Sequence, residues 1–202
     1  MAEGSPDLSK AKKMAKIFER RAEGLKEKVG DLKEKSLTDG MTGLLNRHAF
    51  DEQLERRFAR ASRSRELEQT QRGLALILAD IDRFKSINDT YGHPTGDEVI
   101  RQVAACLKSV VRPGDVVARY GGEEFAIAAA NGPDLPLSEI MERLRIEVEH
   151  LDIERDGKQI PVTISLGAVD CAAFDSFQEA MDKADQALYR AKDGGRNRAV
   201  IF

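Results

Sequence analysis

The run from Gly73 to Ile81 (Gly-Leu-Ala-Leu-Ile-Leu-Ala-Asp-Ile) constrains the fold more than any other stretch of the chain. Its apolar residues are consecutive rather than alternating, and it falls well short of the ~20 residues of a membrane span. A short continuous run of this kind is read as a strand buried at the centre of a sheet. It ends in Asp80-Ile81-Asp82. A carboxylate at the end of a buried strand is a common place for metal chemistry and an equally common solubilising end.

The second organising stretch is Arg119-Tyr120-Gly121-Gly122-Glu123-Glu124-Phe125, with Asp115 to Ala118 on its left and Phe125 to Ala128 on its right. Two apolar runs split by Gly-Gly predict a β-hairpin, because glycine reaches the φ > 0 of a tight primed turn. The turn carries adjacent carboxylates, Glu123 and Glu124. Neighbouring side chains of a strand point to opposite faces, so one can aim into a site while the other braces it. Bare glycines leave room for a large anionic ligand, although solvated glutamates on an ordinary hairpin would look the same.

Upstream, Leu8, Ala11, Ala15, Phe18, Ala22, Leu25, Val29 and Leu32 alternate intervals of three and four, the a/d spacing of a coiled coil. Residues 1–35 are therefore expected to form an N-terminal helix that dimerises; the competing reading is one amphipathic helix packed on its own domain. Residues 36–202 form the main domain. Its first stretch, Ser36 to Arg47, is glycine-rich and reads as a hinge-like connection. Asn46 is placed to cap a helix bearing Phe50, Leu54 and Phe58, and Arg60 to Arg72 is polar and expected to fray into a loop.

After the central strand, Arg83 to Asp97 packs Lys85, Asn88, His93 and Asp97 into what reads as a short connection. Helix-start amides there would suit phosphate oxygens, with Lys85 as a point charge. Asp97 is also well placed as a helix cap, since Val99, Ile100, Val103, Leu107 and Val110 follow at helical spacing, and His93 beside Pro94 reads as a turn residue. Ser138 to Leu151 reads as a helix, and Asp156-Gly157 as the turn of a hairpin leading to a strand at Val162 to Val169. Phe177 to Ala191 is the last helix, closed by Gly194-Gly195, and Ala199 to Ile201 a final strand. Helices alternating with strands, some joined by hairpins, predict an α/β sandwich with a mixed sheet.

Composition excludes several classes. A charge of −3 over 202 residues offers no general attraction for nucleic acid or a membrane surface. No apolar run could span a bilayer, and the polar, basic N-terminus contains no apolar signal segment, so a cytoplasmic protein is expected. Cys106 and Cys171 lack metal-ligand spacing and read as reduced packing residues.

Four co-linear pieces together resemble the GGDEF family of diguanylate cyclases over residues 37–202. They are residues 38–47 (Thr-Asp-Gly-Met-Thr-Gly-Leu-Leu-Asn-Arg), 80–97, 119–125, and 191–197 (Ala-Lys-Asp-Gly-Gly-Arg-Asn). Met41 stands where the family usually has leucine, and Glu123 where the name-giving motif has aspartate. The resemblance implies a palm-like mixed β-sheet flanked by helices, and condensation of two GTP to cyclic di-GMP with release of pyrophosphate. It implies Mg²⁺ or Mn²⁺ held by Asp80, Glu123, Glu124 and the Ile81 carbonyl, with Glu123 also a candidate for deprotonating the attacking hydroxyl. Asn88 and Asp97 correspond to the guanine readers. Lys85, Lys192, Arg196 and the Phe84 backbone correspond to phosphate contacts, and His93, Gly121 and Gly122 join the nucleotide site.

Each domain of this family holds one GTP, so two must face each other, which gives the heptads a purpose as a homodimer contact. Arg112 and Asp115, an Arg-x-x-Asp upstream of the hairpin, resemble the family's inhibitory site for cyclic di-GMP, with Arg143 a secondary contact. The plain reading of Pro113-Gly114 is a turn that ends a helix. No sensor domain is visible, so an input would come from a partner acting on the N-terminal helix or from a longer protein. The competing functional reading is a GGDEF module that binds GTP or cyclic di-GMP without catalysis.

Overall fold

The computed structural model describes residues 37–66 (backbone alone for 62–66), 73–132 and 135–202, together with Lys16. The chain divides into two compact units, Met1–Leu37 and Thr38–Phe202, and the second is described here. The heptad positions lie outside the described residues.

The buried run is strand β2 (Gly73–Ile81), and every residue after Gly73 is buried. It is central because both of its edges are hydrogen-bonded. Strands β4 (Glu124–Asn131) and β7 (Ile164–Asp170) flank it, both antiparallel. Outside them lie β1 (Leu45–Asn46), β3 (Val116–Arg119) and β8 (Ala199–Ile201), giving the order β1-β3-β4-β2-β7-β8. The β1–β3 and β7–β8 pairs are parallel, so the sheet is mixed. A small hairpin, β5 (Glu154–Arg155) and β6 (Lys158–Gln159), stands apart. Its turn residues Asp156 and Gly157 have φ of 52° and 73°, the primed geometry expected of Asp-Gly.

Helices cover both faces, which is why the central strand has no polar alternation. On one side, Ala75, Ile77, Ala79 and Ile81 meet α2 (Phe84–Tyr91), α3 (His93–Val110) and α4 (Leu137–Glu149) through Ile87, Val103, Leu107 and Leu144. On the other, Leu74, Leu76 and Leu78 meet α1 (Arg47–Glu66) and α5 (Phe177–Asp193) through Phe50, Leu54, Phe58, Ala184 and Leu188. Complete burial of side chains such as Leu76, Ile77 and Ile127 stabilises the fold by about 1.5–3 kcal/mol apiece. Helix α5 approaches β7 very closely: a Cβ on Gly167 would lie 2.0 Å from the Leu188 nitrogen and 2.4 Å from the Ala184 oxygen.

Three local expectations are corrected. The polar stretch after Arg60 does not fray at once; α1 continues to Glu66. Residues 83–97 are not a short connection but one helix and the start of a second, broken at Gly92, whose φ is 83°. The 38–47 stretch is tied down rather than hinge-like. Asp39 Oδ1 accepts from the Thr42 amide (2.9 Å) and hydroxyl (2.8 Å), and Asp39 pairs with Arg119 at 3.2 Å. Asn46 does cap α1, its Oδ1 accepting from the Ala49 amide at 3.0 Å. Both cysteines are free thiols, and partial burial pushes the Cys106 thiol up to about 11, with Glu147 adding to it. No helix among the described residues is long and apolar enough to cross a membrane.

Candidate active site

The acids gather where β2 ends and β4 begins. Asp80 stands in register with Glu124 on one side and Ser165 on the other. By strand alternation Asp80 shares the face of Leu76 and Leu78, the face covered by α5. The last turn of α5 delivers Lys192, whose Nζ lies 2.8 Å from Asp80 Oδ2. Burial pushes the Asp80 carboxyl above its ordinary range; the hydrogen bond and charge of Lys192 oppose this, and Glu123 and Glu124 add to it.

The hairpin differs from a two-residue primed turn. Neither Gly121 nor Gly122 has a positive φ. The connection spans Tyr120 to Glu123 and closes on the Glu124 carbonyl, which accepts from the Tyr120 and Gly121 amides at 2.8 and 3.2 Å. Arg119 clasps it from below, its Nε and Nη2 donating to the Gly122 carbonyl at 3.0 and 2.8 Å. Gly121 is needed because a Cβ there would lie 2.2 Å from a Glu124 carboxylate oxygen, whereas a Cβ on Gly122 would meet nothing within 4 Å. The Ile81 amide donates to the Glu123 carbonyl at 3.2 Å, so the ladder holds Glu123 beside the strand end.

Asp80, Glu123, Glu124 and the Ile81 carbonyl are hard oxygen donors, a set suited to Mg²⁺ or Mn²⁺. Among the described residues no three acidic, histidine or cysteine side chains converge on one point. The Glu124 carboxylate lies over Gly121, and the Lys192 ammonium takes the charge of Asp80. The donors fit a divalent cation in kind and in neighbourhood.

Asn88 lies on α2 and Asp97 on α3, the two helices that meet at Gly92. Asp97 is not a helix cap: α3 begins at His93, which leaves Asp97 within the helix, half-buried. Its carboxylate accepts no hydrogen bond among the described residues. The Asn88 Oδ1 is buried and has no partner. Gly96 makes room for it: a Cβ there would lie 1.9 Å from Asn88 Oδ1 and 3.1 Å from the Phe84 ring. An unpartnered amide oxygen packed on Gly96, the residue before Asp97, is an acceptor a base edge would satisfy. Phe84 is buried at the start of α2, while Lys85 and His93 are exposed. Arg196 is exposed beyond the end of α5. It lines a cleft of about 430 Å³ with Asp82, Arg83, Ser86, Thr90 and Asn197.

Arg112 and Asp115 border another cleft, of about 700 Å³, between α1 and the end of α3. The Asp115 carboxylate is engaged by backbone, accepting from the Arg112 amide and the Ala130 amide, both at 3.0 Å. The Arg112 side chain is exposed, and Arg143 reaches the same helix end, donating to the Val110 carbonyl at 3.1 Å.

Sequence reasoning gave no role to Asp82, Arg83, Gly96 or Arg119. Asp82 could have been noticed, because a second carboxylate two residues after Asp80 points to the same face. The Arg119 clasp on Gly122 spans three residues, but its pair with Asp39 joins residues 80 apart and has no local signature.

The family model described as diguanylate cyclase, GGDEF domain, matches residues 36–198. Diguanylate cyclase A of Treponema denticola is 42% identical over 172 residues, 84% of this chain and 45% of that protein. Diguanylate cyclase VdcA of Vibrio cholerae is 37% identical over 179 residues, 87% of this chain and 50% of its own length. The chain thus spans half or less of these curated relatives. The crystal structure of the coiled coil and GGDEF domain of DgcB from Caulobacter crescentus, in complex with c-di-GMP, superposes with a TM-score of 0.85. It is 34% identical and covers 95% of this chain and 99% of that one. A family model spanning the folded domain, together with the mixed sheet that carries the Gly-Gly-Glu-Glu-Phe turn beside Asp80, establishes that this chain belongs to the GGDEF family.

Proposed function

We propose that the chain is a diguanylate cyclase that condenses two GTP into cyclic di-GMP. The observation that carries this reading is the acidic edge where Asp80, paired with Lys192, stands in register with Glu124 beside Glu123, in a domain that also holds the unpartnered Asn88 amide oxygen. The names of the curated relatives support it.

In this reading Asn88 and Asp97 hold the guanine edge, since a carboxylate accepts from N1–H and the exocyclic amino group and adenine offers no such pair of donors. Lys85, Arg196, Lys192 and the Phe84 backbone orient the triphosphate, and Gly121 and Gly122 let it approach the hairpin. Lys192 exchanges Asp80 for phosphate oxygens. The 3′-hydroxyl of each GTP attacks the α-phosphorus of the other, losing its proton. Two phosphodiester bonds form as two pyrophosphates leave. Asp80, Glu123, Glu124 and the Ile81 carbonyl would hold Mg²⁺ or Mn²⁺, which when bound neutralises phosphate charge and favours the hydroxyl's ionised form. Glu123, outside the strand ladder, accepts the hydroxyl proton.

One domain holds one GTP, so catalysis requires a second domain facing the first. The heptads of residues 1–35 supply that by raising the local concentration of the partner half-site. The coiled coil in the similar DgcB structure supports this role. Arg112, Asp115 and Arg143 form a product site. The exposed Arg112 guanidinium stacks on guanine or pairs with phosphate, and bound cyclic di-GMP holds domains in an unproductive pairing.

The test is incubation of the purified protein with GTP and Mg²⁺, followed by separation of the nucleotides. Cyclic di-GMP and pyrophosphate are expected from wild type and nearly none from folded Asp80→Asn. Wild-type turnover in that variant removes Asp80 from the site, and no product from wild type refutes the cyclase reading.

A further inference from the structure

Of the four non-glycine residues with positive φ among the described residues, three border the 430 Å³ cleft: Arg83 (54°), Arg196 (65°) and Asn197 (45°). A left-handed backbone at a residue other than glycine is unfavourable, and it persists where the surroundings over-determine it. Those surroundings can be named at Asn197.

On its backbone side, the Asn197 amide donates to Asp82 Oδ2 at 2.9 Å. Asp82 is only 7% exposed, and its carboxylate also accepts from the hydroxyls of Thr163 (2.7 Å) and Ser165 (2.6 Å). Three donors hold this carboxylate, two on Oδ2 and one on Oδ1, so Asp82 acts as an anchor for the segment around Asn197. On the side-chain side, Asn197 Oδ1 accepts from Arg145 Nη1 at 2.9 Å, and Nδ2 donates to Glu149 Oε1 at 2.7 Å. Arg145 is itself fixed by Glu142 and Glu149 on α4, at 2.7 and 2.6 Å. Asn197 thus ties the residue that follows β2 to helix α4.

Arg196 sits between this tie and α5. Its amide donates to the Ala191 carbonyl at 3.0 Å, and the Arg198 carbonyl accepts from Leu166 at 2.9 Å. The backbone of 196–198 is therefore pinned on both sides, while the Arg196 guanidinium has no protein partner among the described residues. A long cation loses rotamer freedom when it is immobilised on a ligand. Fixing its backbone beforehand reduces the further ordering that binding requires.

We propose that Asn197, clamped by Asp82 and by the Arg145–Glu149 pair, is a positioning residue that sets Arg196 on the triphosphate of the bound nucleotide. This rests on the cyclase reading only for the identity of the nucleotide. The test is a double-mutant cycle between Asn197→Ala and Arg196→Ala in the full chain. It is read as the Kd of a non-hydrolysable GTP analogue, with the melting temperature recorded alongside. Asn197→Ala is expected to weaken binding about tenfold in the wild-type background, because both of its side-chain hydrogen bonds are lost and Arg196 is no longer held in place. In the Arg196→Ala background it should weaken binding no more than about twofold, within ordinary additivity error. Arg145→Ala, which removes a bond to Asn197 from an element remote from the nucleotide, should repeat the pattern if Asn197→Ala does not fold. A full tenfold loss in both backgrounds, or unchanged affinity in folded variants, overturns the proposal. Failure of wild type to bind the analogue overturns it too. Binding without turnover refutes the cyclase reading and leaves the cycle readable.

Discussion

Replacing Gly167 by alanine should damage the protein more than its single added methyl suggests. The new Cβ would lie 2.0 Å from the Leu188 nitrogen, 2.4 Å from the Ala184 oxygen and 2.5 Å from the Leu188 Cα. All three are backbone atoms of α5, so no rotamer change relieves the contact. Moving from 2.0 Å to an ordinary 3.4 Å requires about 1.4 Å of separation between α5 and β7. Ala180, Ala184, Ala187 and Ala191 are all buried on that helix, so the shift loosens a whole interface. Overpacking costs typically 1–3 kcal/mol, and with only backbone to yield about 3 kcal/mol is expected. For a domain of this size that corresponds to a fall in Tm of roughly 6–12 °C. Because α5 carries Lys192, the 2.8 Å pair with Asp80 is displaced as well, and GTP turnover should fall in the fraction that stays folded. The measurement is thermal and urea denaturation of Gly167→Ala beside Gly122→Ala, whose new Cβ meets nothing within 4 Å. A Gly167→Ala variant that melts within about 2 °C of wild type would refute the argument that α5 lies in backbone contact with the sheet.

Three further outcomes are expected. Asp97→Ala should lose about tenfold or more of its preference for GTP over ATP in a competition assay, because the lost carboxylate leaves a base edge unpaired; unchanged discrimination would return Asp97 to a purely helical role. Wild type should stall as cyclic di-GMP is titrated in, while Arg112→Ala keeps turning over, and equal sensitivity would remove Arg112 from the product site. Asp39 is pushed up by burial, but hydrogen bonds from Thr42 and the Arg119 charge outweigh this and hold its carboxyl below the usual value. A depressed folded value stabilises the protein above the unfolded pKa of about 3.9 and loses that contribution as pH falls through the folded one. The stability advantage of wild type over Asp39→Asn should therefore shrink progressively below about pH 5, and a constant difference down to acid pH would contradict it.

Much of the fold was legible because its signals are local. The consecutive apolar residues from Leu74 to Ala79, too few for an ordinary helix, read as a strand covered on both faces, and that is what they form. The Asp156-Gly157 turn, the Asn46 cap and the final strand Ala199–Ile201 each follow from the conformational preferences of a few adjacent residues. Where local signals competed, the reading failed. Gly-Gly at 121–122 suggested a primed turn, but one glycine is there for the close approach of Glu124 and the other for open space. Gly92-His93-Pro94 resembled a loop, yet the left-handed glycine and the proline at the start of α3 join two helices at a sharp break.

The sequence by itself determined the central strand, the acidic turn and the family. These depend on residue type and short spacing, which chain order preserves. Only the tertiary structure decided which partners each carboxylate of the strand end meets. Asp80 and Asp82 are alike in sequence, but one meets Lys192 of α5 and the other is filled by Thr163, Ser165 and Asn197. Those partners come from segments more than 80 residues away, and their meeting is fixed by strand register and helix packing, not by any pattern within a single segment.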